Sequence, residues 1–291
     1  MQTDLTKKLQ KRFDRLKSNR QNWESHWQEV ADYMQPRKAD VTKTRSKGDK
    51  RTELVFDSSP MQAVELLAAS LHGMLTNPAT TWFSLRFKGE GLEDSDEAKA
   101  WLEKASEIMY SAFNRSNFQQ EIFELYHDLI TFGTAAMFIE DDEEDVLKFS
   151  TRHINEMYIS ENDRGRIDTI FRKFKLTARA AIQKFGADVS TNIITTNRKD
   201  PYEEIDIIHA VYPRSDFDPR KQDKENMPFE SVYFEAGTGD ELSVSGFREF
   251  PFVVPRYLKA SQEIYGRSPA MTALPDVKML NEMSKTTIKS A

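Results

Sequence analysis

The sequence predicts an α+β fold with N-terminal helices, a mainly antiparallel β region and a C-terminal helix, and three observations predict it. Apolar residues recur at three- and four-residue spacing through roughly the first 130 residues, the period switches to two after Thr134, and the helical spacing returns after Ser268. Helices, then strands, then a helix is not the alternating order of an α/β chain. The composition is that of a folded protein: 30% charged residues and a net charge of -6 stand against 38% hydrophobic residues, including 19 Phe, 9 Tyr and 4 Trp. A length of 291 residues suits one large domain or two smaller ones. Cysteine is absent, which excludes disulfides, thiolate metal sites and a cysteine nucleophile. The longest apolar runs, such as Ala135 to Ile139, are far shorter than the about 20 residues of a membrane-spanning helix, so no membrane partner is expected. The N-terminus lacks the apolar stretch of a signal peptide.

The first 35 residues read as one amphipathic helix. Leu9, Phe13, Leu16, Trp23, Trp27, Val30 and Met34 make one apolar stripe, with Arg20 its interruption, and the stripe has to pack on something. Pro36 ends the helix because it lacks an N–H and disfavours helix at Gln35. Residues 36–51 are rich in Lys and Arg, hold Gly48 and read as a loop. Ser59 as N-cap, Pro60 at the first helical position and Gln62 completing a capping box open the next helix. Val64, Leu67, Ala68 and Leu71 line it, small residues at Ala63, Ala68, Ala69 and Ser70 allow a neighbour to approach closely, and Asn77-Pro78 stops it. Trp82 to Phe87 alternates as a short strand. Glu93 to Asn114 and Asn117 to Phe132 are helical, and Gly133 suits a C-cap.

The β region follows. Ala135 to Glu140 and Val146 to Ser150 are strands joined by the acidic run Glu140 to Asp145, and Arg166 to Leu176 is a longer strand. Thr177 caps a short helix, Ala178 to Phe185, that Gly186 stops. Glu204 to Tyr212 alternates with Ile205, Ile207, His209 and Val211 on one face; Ser231 to Glu235 and Leu242 to Phe247 flank the turn at residues 237–240. Phe252 to Tyr257 is an edge strand because of Pro251 and Pro255. Ser268-Pro269 opens the last helix, which continues through Val277, Leu280, Ser284 and Thr287 with no closing signal, so the element is expected to continue beyond the sequence given.

Charge is distributed unevenly. Residues 1–51 hold 14 Lys and Arg against 7 Asp and Glu, a surplus of seven, which leaves the rest of the chain at -13. Arg37, Lys38, Lys43, Arg45, Lys47, Lys50 and Arg51 form a basic loop that suits nucleic acid or an acidic partner, or simply a solvated segment. Motifs for catalysis are missing. His26, His72, His127, His153 and His209 form no metal-ligand pair, no phosphate-cradling P-loop or activated-serine motif occurs, and no cofactor is expected. The enzyme alternative is a metal-dependent nuclease in which Glu140 to Asp145, or Asp216 with Asp218, hold Mg²⁺. A contiguous acidic run points its side chains apart, which favours a solvated turn.

Five blocks, taken in order, resemble the portal, or head-to-tail connector, proteins of short-tailed bacteriophages. They are Trp23-Glu-Ser-His-Trp27 with Ala31-Asp-Tyr-Met-Gln-Pro36; Asp57-Ser-Ser-Pro60 running into Leu66 to Leu71; Asn77 to Phe83; Leu125 to Ala135; and Tyr265-Gly-Arg-Ser-Pro269 leading to Leu274 to Asn281. The resemblance implies a homo-oligomeric ring, usually of about twelve copies, at one capsid vertex, through which double-stranded DNA is packaged and ejected. It implies an α+β wing over residues 52–267 and the start of the stem helix over residues 268–291. Capsid and scaffolding proteins are the implied partners, with terminase and tail adaptors docking on regions beyond this sequence. The location is the virion, after assembly in the host cytoplasm.

Residue roles follow as expectations. Lys278, Lys285 and Lys289 are candidate contacts to DNA in the channel, or plain solubilising charges. Trp23, Trp27, Ala68 and Ala69 are candidates for packing or subunit contact. The acidic remainder suits a conduit that DNA passes without sticking, since phosphate neutralisation makes binding tight.

Overall fold

A computed structural model describes residues 3–44, 46, 48–87, 95–186, 189–221 and 223–291. The chain divides into two compact units, Met1–Ser25 with Asn155–Pro251, and His26–Ile154 with Phe252–Ala291.

The first unit is built on a five-stranded antiparallel sheet. β3 (Met157–Glu161), β4 (Ile167–Thr177), β5 (Glu204–Pro213), β6 (Phe229–Glu235) and β7 (Glu241–Phe247) follow one another as a meander. Helix α1 (Asp4–Met34) starts in this unit, and its Leu9, Phe13 and Leu16 bury against Tyr158, Phe171, Ile208, Ala210, Val232 and Phe234. The opposite face, with Phe174, Ile205, Ile207 and Leu242, takes Ala178, Ala181 and Phe185 of α5 (Ala178–Phe185) and Ile193 of α6 (Thr191–Lys199). Both faces of β5 are therefore apolar, because both are covered. The face carrying Ile205 and Ile207 is the one the alternation predicts. His209 is buried on β5, stacked on Tyr233 at 3.8 Å and hydrogen-bonded to Ser231 Oγ at 2.9 Å.

Arg20 does not interrupt the buried stripe; it belongs to it. Only 2% exposed, it donates to the carbonyls of Met157 (2.7 Å) and Asn155 (2.9 Å), pairs with Glu24 at 2.6 Å and lies over the Tyr158 ring at 3.8 Å. A buried guanidinium is tolerated because these partners replace its water. Thr177 accepts the Ala180 N–H, as its capping pattern predicts. One strand and one α-helix of the described residues have no counterpart in the sequence reading: β3, five residues long, and α6, whose Thr- and Ile-rich sequence has low helix propensity but which Ser190 caps by accepting the Ile193 N–H.

The second unit contains α2 (Ser59–Leu75), α3 (Asp96–Arg115), α4 (Phe118–Phe132), the sheet β2-β1-β8 and α7 (Pro269–Ser290). β1 (Ala136–Asp142) and β2 (Val146–Arg152) form a hairpin, and the short edge strand β8 (Phe252–Val253) pairs Phe252 with Phe138. The hairpin turn uses the acidic run: the Asp142 carboxylate accepts the Glu144 and Asp145 N–H groups, both at 2.9 Å. α4 is docked on β2 by a reciprocal pair, Asn117 Nδ2 donating to the Phe149 carbonyl (2.8 Å) and Phe149 N–H to Asn117 Oδ1 (2.9 Å). Gly133 caps α4 in the left-handed region at φ 74°.

Four local expectations are corrected. No capping box opens α2: its N-cap is Ser58, and the Asp57 carboxylate accepts the Ser59 N–H at 2.8 Å instead. Residues 82–87 are not a strand, because no neighbour pairs with them; Trp82 and Phe83 pack on the rings of Tyr110 and Phe113, while the Tyr110 hydroxyl exchanges hydrogen bonds with the Phe83 backbone. α3 begins at Asp96, with Ser95 as cap, and Glu93 lies outside the described residues; its apolar face is only partly covered, with Phe113 packed on neighbouring rings and Trp101 and Ile108 exposed. On α7, Leu280 faces outward and Asn281 takes the buried position.

Candidate interface and channel surfaces

The sequence blocks converge on the start of α7. Ser268 Oγ accepts the Met271 N–H at 2.9 Å and donates to the Thr131 carbonyl at 2.9 Å, so one hydroxyl caps α7 and ties it to the end of α4. Gly266 N–H donates to Thr134 Oγ1 (2.8 Å), and Tyr257 N–H to the Gly133 carbonyl (2.9 Å). Gly133 and Gly266 pack backbone on backbone: a Cβ on either would meet the carbonyl oxygen of the other well inside contact distance. Trp27, fully buried, donates from Nε1 to the Phe132 carbonyl at 3.1 Å and sets its ring edge-on to Tyr265 at 5.0 Å. Three blocks separated by more than a hundred residues thus meet at one point.

Further along α7, Asn281 Oδ1 accepts the N–H groups of Phe56 (2.7 Å) and Asp57 (3.2 Å), while its Nδ2 donates to the Leu54 carbonyl (2.9 Å). Of the candidate channel lysines, Lys278 is paired with Glu29. Lys285 pairs with Glu282 at 2.8 Å and lies 5.8 Å from the Phe56 ring centroid, and Lys289 is exposed in the last turn. The hydrogen bond from Lys278 to Glu29 holds its ammonium above the usual lysine range. Met279, Met283 and Ile288 stand exposed on the same helix.

The basic loop is organised by Gln28. Its buried carboxamide donates to the Ala39 carbonyl (2.6 Å) and to Asp32 (2.9 Å), and accepts from the N–H groups of Val41 (3.0 Å) and Thr42 (2.9 Å). Four of the loop cations are paired within the unit. Lys38 reaches Glu124 at 2.6 Å and Asp128 at 2.5 Å, Arg37 reaches Glu124 at 3.1 Å, Lys43 reaches Asp32 at 2.9 Å and Arg51 reaches Asp40 at 2.5 Å. Lys50 is exposed; Arg45 and Lys47 lie outside the described residues. Complete burial pushes the Asp128 carboxyl above the usual range, against the pull of Lys38. Burial also pushes Glu124 upward, but the hydrogen bond from Lys38 and the charges of Lys38 and Arg37 outweigh it and leave Glu124 depressed.

Ala68 is buried where α2 faces α4, whereas Ala69 is exposed, next to Leu66 and on the same helix as the exposed Met74 and Leu75. Trp23 is half-buried. The carboxylates weighed for a metal do not gather: Asp142 is spent on its turn, Asp218 accepts the Arg220 N–H (3.0 Å), and Asp216 is exposed. Among the described residues no three His, Asp or Glu side chains stand close enough to hold a metal ion, and no helix is long and apolar enough to cross a membrane.

This geometry is that of a packed framework that fixes the root of one helix. The chain belongs to the bacteriophage head to tail connecting protein family, whose model matches residues 6–291. It is 35% identical over 279 residues to the probable portal protein of Bordetella phage BPP-1, covering 94% of this chain and 50% of that protein. It is 34% identical over 284 residues to the portal protein of Salmonella phage epsilon15, covering 96% and 51%. The chain therefore spans about half the length of these relatives, and the nuclease alternative finds no support among them.

Proposed function

We propose that the chain is part of a portal subunit, structural rather than catalytic, that forms a closed ring at one capsid vertex through which double-stranded DNA is packaged and ejected. The observation that carries this reading is the match to portal proteins along nearly the whole chain. Residues 52–267 serve as the wing and residues 268–291 as the start of the stem. The anchored root of α7 supports that assignment, because a helix beside moving DNA needs a fixed base. The exposed Leu66, Met74 and Leu75 of α2 and Met279, Met283 and Ile288 of α7 are then lateral or stem contacts, since a ring subunit needs large apolar surfaces for its neighbours. Capsid and scaffolding proteins, terminase and tail adaptors are its partners, in the virion and, during assembly, in the host cytoplasm. Lys289 remains a transient phosphate contact.

Native mass spectrometry and negative-stain microscopy of the concentrated protein test the reading. Closed rings of about twelve copies are expected. A monomer that cleaves duplex DNA with Mg²⁺, and loses that activity in Asp216→Ala or Asp218→Ala, would overturn it.

A further inference from the structure

Seven of the 14 Lys and Arg in residues 1–51 lie not in the loop but on α1, ahead of Gln21. The structure sorts them into two groups. Arg12 turns onto the sheet, donating to Thr169 Oγ1 (3.0 Å) and lying near the Phe171 and Tyr212 rings, and Arg20 is buried. Lys7, Lys8, Lys11, Arg15 and Lys17 are exposed. Among the described residues, Lys8, Lys11, Arg15 and Lys17 have no carboxylate within ion-pair distance, and Lys7 has only the exposed Asp4 at 3.7 Å. The other acid of this stretch, Asp14, accepts a hydrogen bond from Gln10 (3.0 Å).

We propose that the face of α1 carrying Lys7, Lys8, Lys11 and Arg15 binds the phosphate backbone of double-stranded DNA; Lys17 falls on the opposite flank of the helix. Lys7, Lys11 and Arg15 follow at four-residue intervals, about 6 Å apart along the helix. Leu9, Phe13 and Leu16 clamp the helix to the sheet, so the row of charges is held in place rather than swinging on a loose arm. Duplex DNA presents one negative charge per about 1.7 Å of axis, which places several phosphates opposite the four cations. Lys7, Lys8 and Lys11 are point charges without the planar fork that reads guanine, so the binding is independent of sequence. An acidic protein would be the other polyanion. Protein interfaces, however, centre on apolar anchors, and among the described residues of Met1–Ser25 no large apolar side chain is exposed. The site needs no ring, so it stands or falls separately from the portal reading.

The test is fluorescence anisotropy of a labelled duplex of about 30 base pairs, titrated with the chain between about 50 and 200 mM salt. Four phosphate contacts give a slope of log affinity against log salt of about -3.6. The variant with Lys7, Lys8, Lys11 and Arg15 all changed to Gln is expected to bind at least about tenfold more weakly, with the slope close to zero, and to keep its melting temperature. Lys7→Arg, Lys8→Arg and Lys11→Arg together are expected to retain binding. Unchanged duplex affinity in the Gln variant, or no duplex binding by the parent chain at the low salt, overturns the proposal. Binding of poly-glutamate in place of duplex, lost in the Gln variant, also overturns it and assigns the face to an acidic protein.

Discussion

Trp27→Ala removes the side chain on which the root of α7 depends. The indole is fully buried, its Nε1–H satisfies the Phe132 carbonyl, and its ring lies edge-on to Tyr265. Truncating a buried Trp costs about 3–5 kcal/mol in transfer and cavity terms. A stranded carbonyl of the kind left at Phe132 accounts for about 1–3 kcal/mol by itself. Trp27→Phe separates the contributions: it keeps much of the ring volume and loses the donor, so its expected cost is about 1–3 kcal/mol. Against a total stability of about 5–15 kcal/mol, the Ala variant should melt well below the parent. Urea unfolding followed by far-UV circular dichroism, with linear extrapolation, measures both. A Trp27→Ala loss below about 1 kcal/mol, or equal losses for Ala and Phe, would refute the reasoning that buried volume and one hydrogen bond anchor this junction.

Other expectations follow from the same geometry. Gly266→Ala drives a Cβ into the Gly133 carbonyl and the Arg256 side chain, so it should destabilise by more than about 3 kcal/mol or prevent soluble expression, while Gly237→Ala, with open space around it, should do neither. Asn281→Ala strands the Phe56 and Asp57 amides; a cost of about 1–3 kcal/mol and faster hydrogen exchange at those amides are expected, and unchanged exchange would count against it. Lys38→Met leaves Asp128 and Glu124 without their shared cation, an expected loss of about 3–5 kcal/mol at pH 7. In the parent chain, Glu124, depressed in the folded state, contributes stability above its ordinary value of 4.5 that is lost as pH falls through its folded pKa; Asp128, raised, opposes folding as pH climbs from 3.8 through its folded pKa. Protonation of Asp128 should therefore shrink the Lys38→Met loss on acidification. Equal losses at pH 7 and in mild acid, read from urea midpoints, would contradict that sign.

Sequence revealed what is local. Thr177, Ser268 and Gly133 are legible as helix signals because a cap acts within four residues of itself, and each sits where its pattern places it. Residues 82–87 misled because alternation describes a side-chain pattern, whereas a strand also needs a neighbour's backbone. α6 was hidden by poor propensity that the tertiary burial of Ile193 overrides. The charges show the same limit. Lys278 looks free in sequence because Glu29 is 249 residues away, and Lys38 looks like loop charge because Asp128 is 90 residues away. Exposure on α1, by contrast, followed from the apolar stripe itself: once Leu9, Phe13 and Leu16 point inward, Lys7, Lys11 and Arg15 cannot.

The paired glycines also set an order of events during synthesis. Helix α7 opens with one proline, carries a second at Pro275 and runs through several threonines, so alone it is a weak helix. Its cap, Ser268, is held by a hydrogen bond to the carbonyl of Thr131, on a segment the ribosome makes long before. At about 5–20 residues per second, the stretch between Gly133 and Gly266 takes roughly 7–27 s to emerge. For that time Trp27 and Gly133 lack Tyr265 and Gly266, and the contacts at this junction are completed only when Tyr265-Gly-Arg-Ser268 arrives.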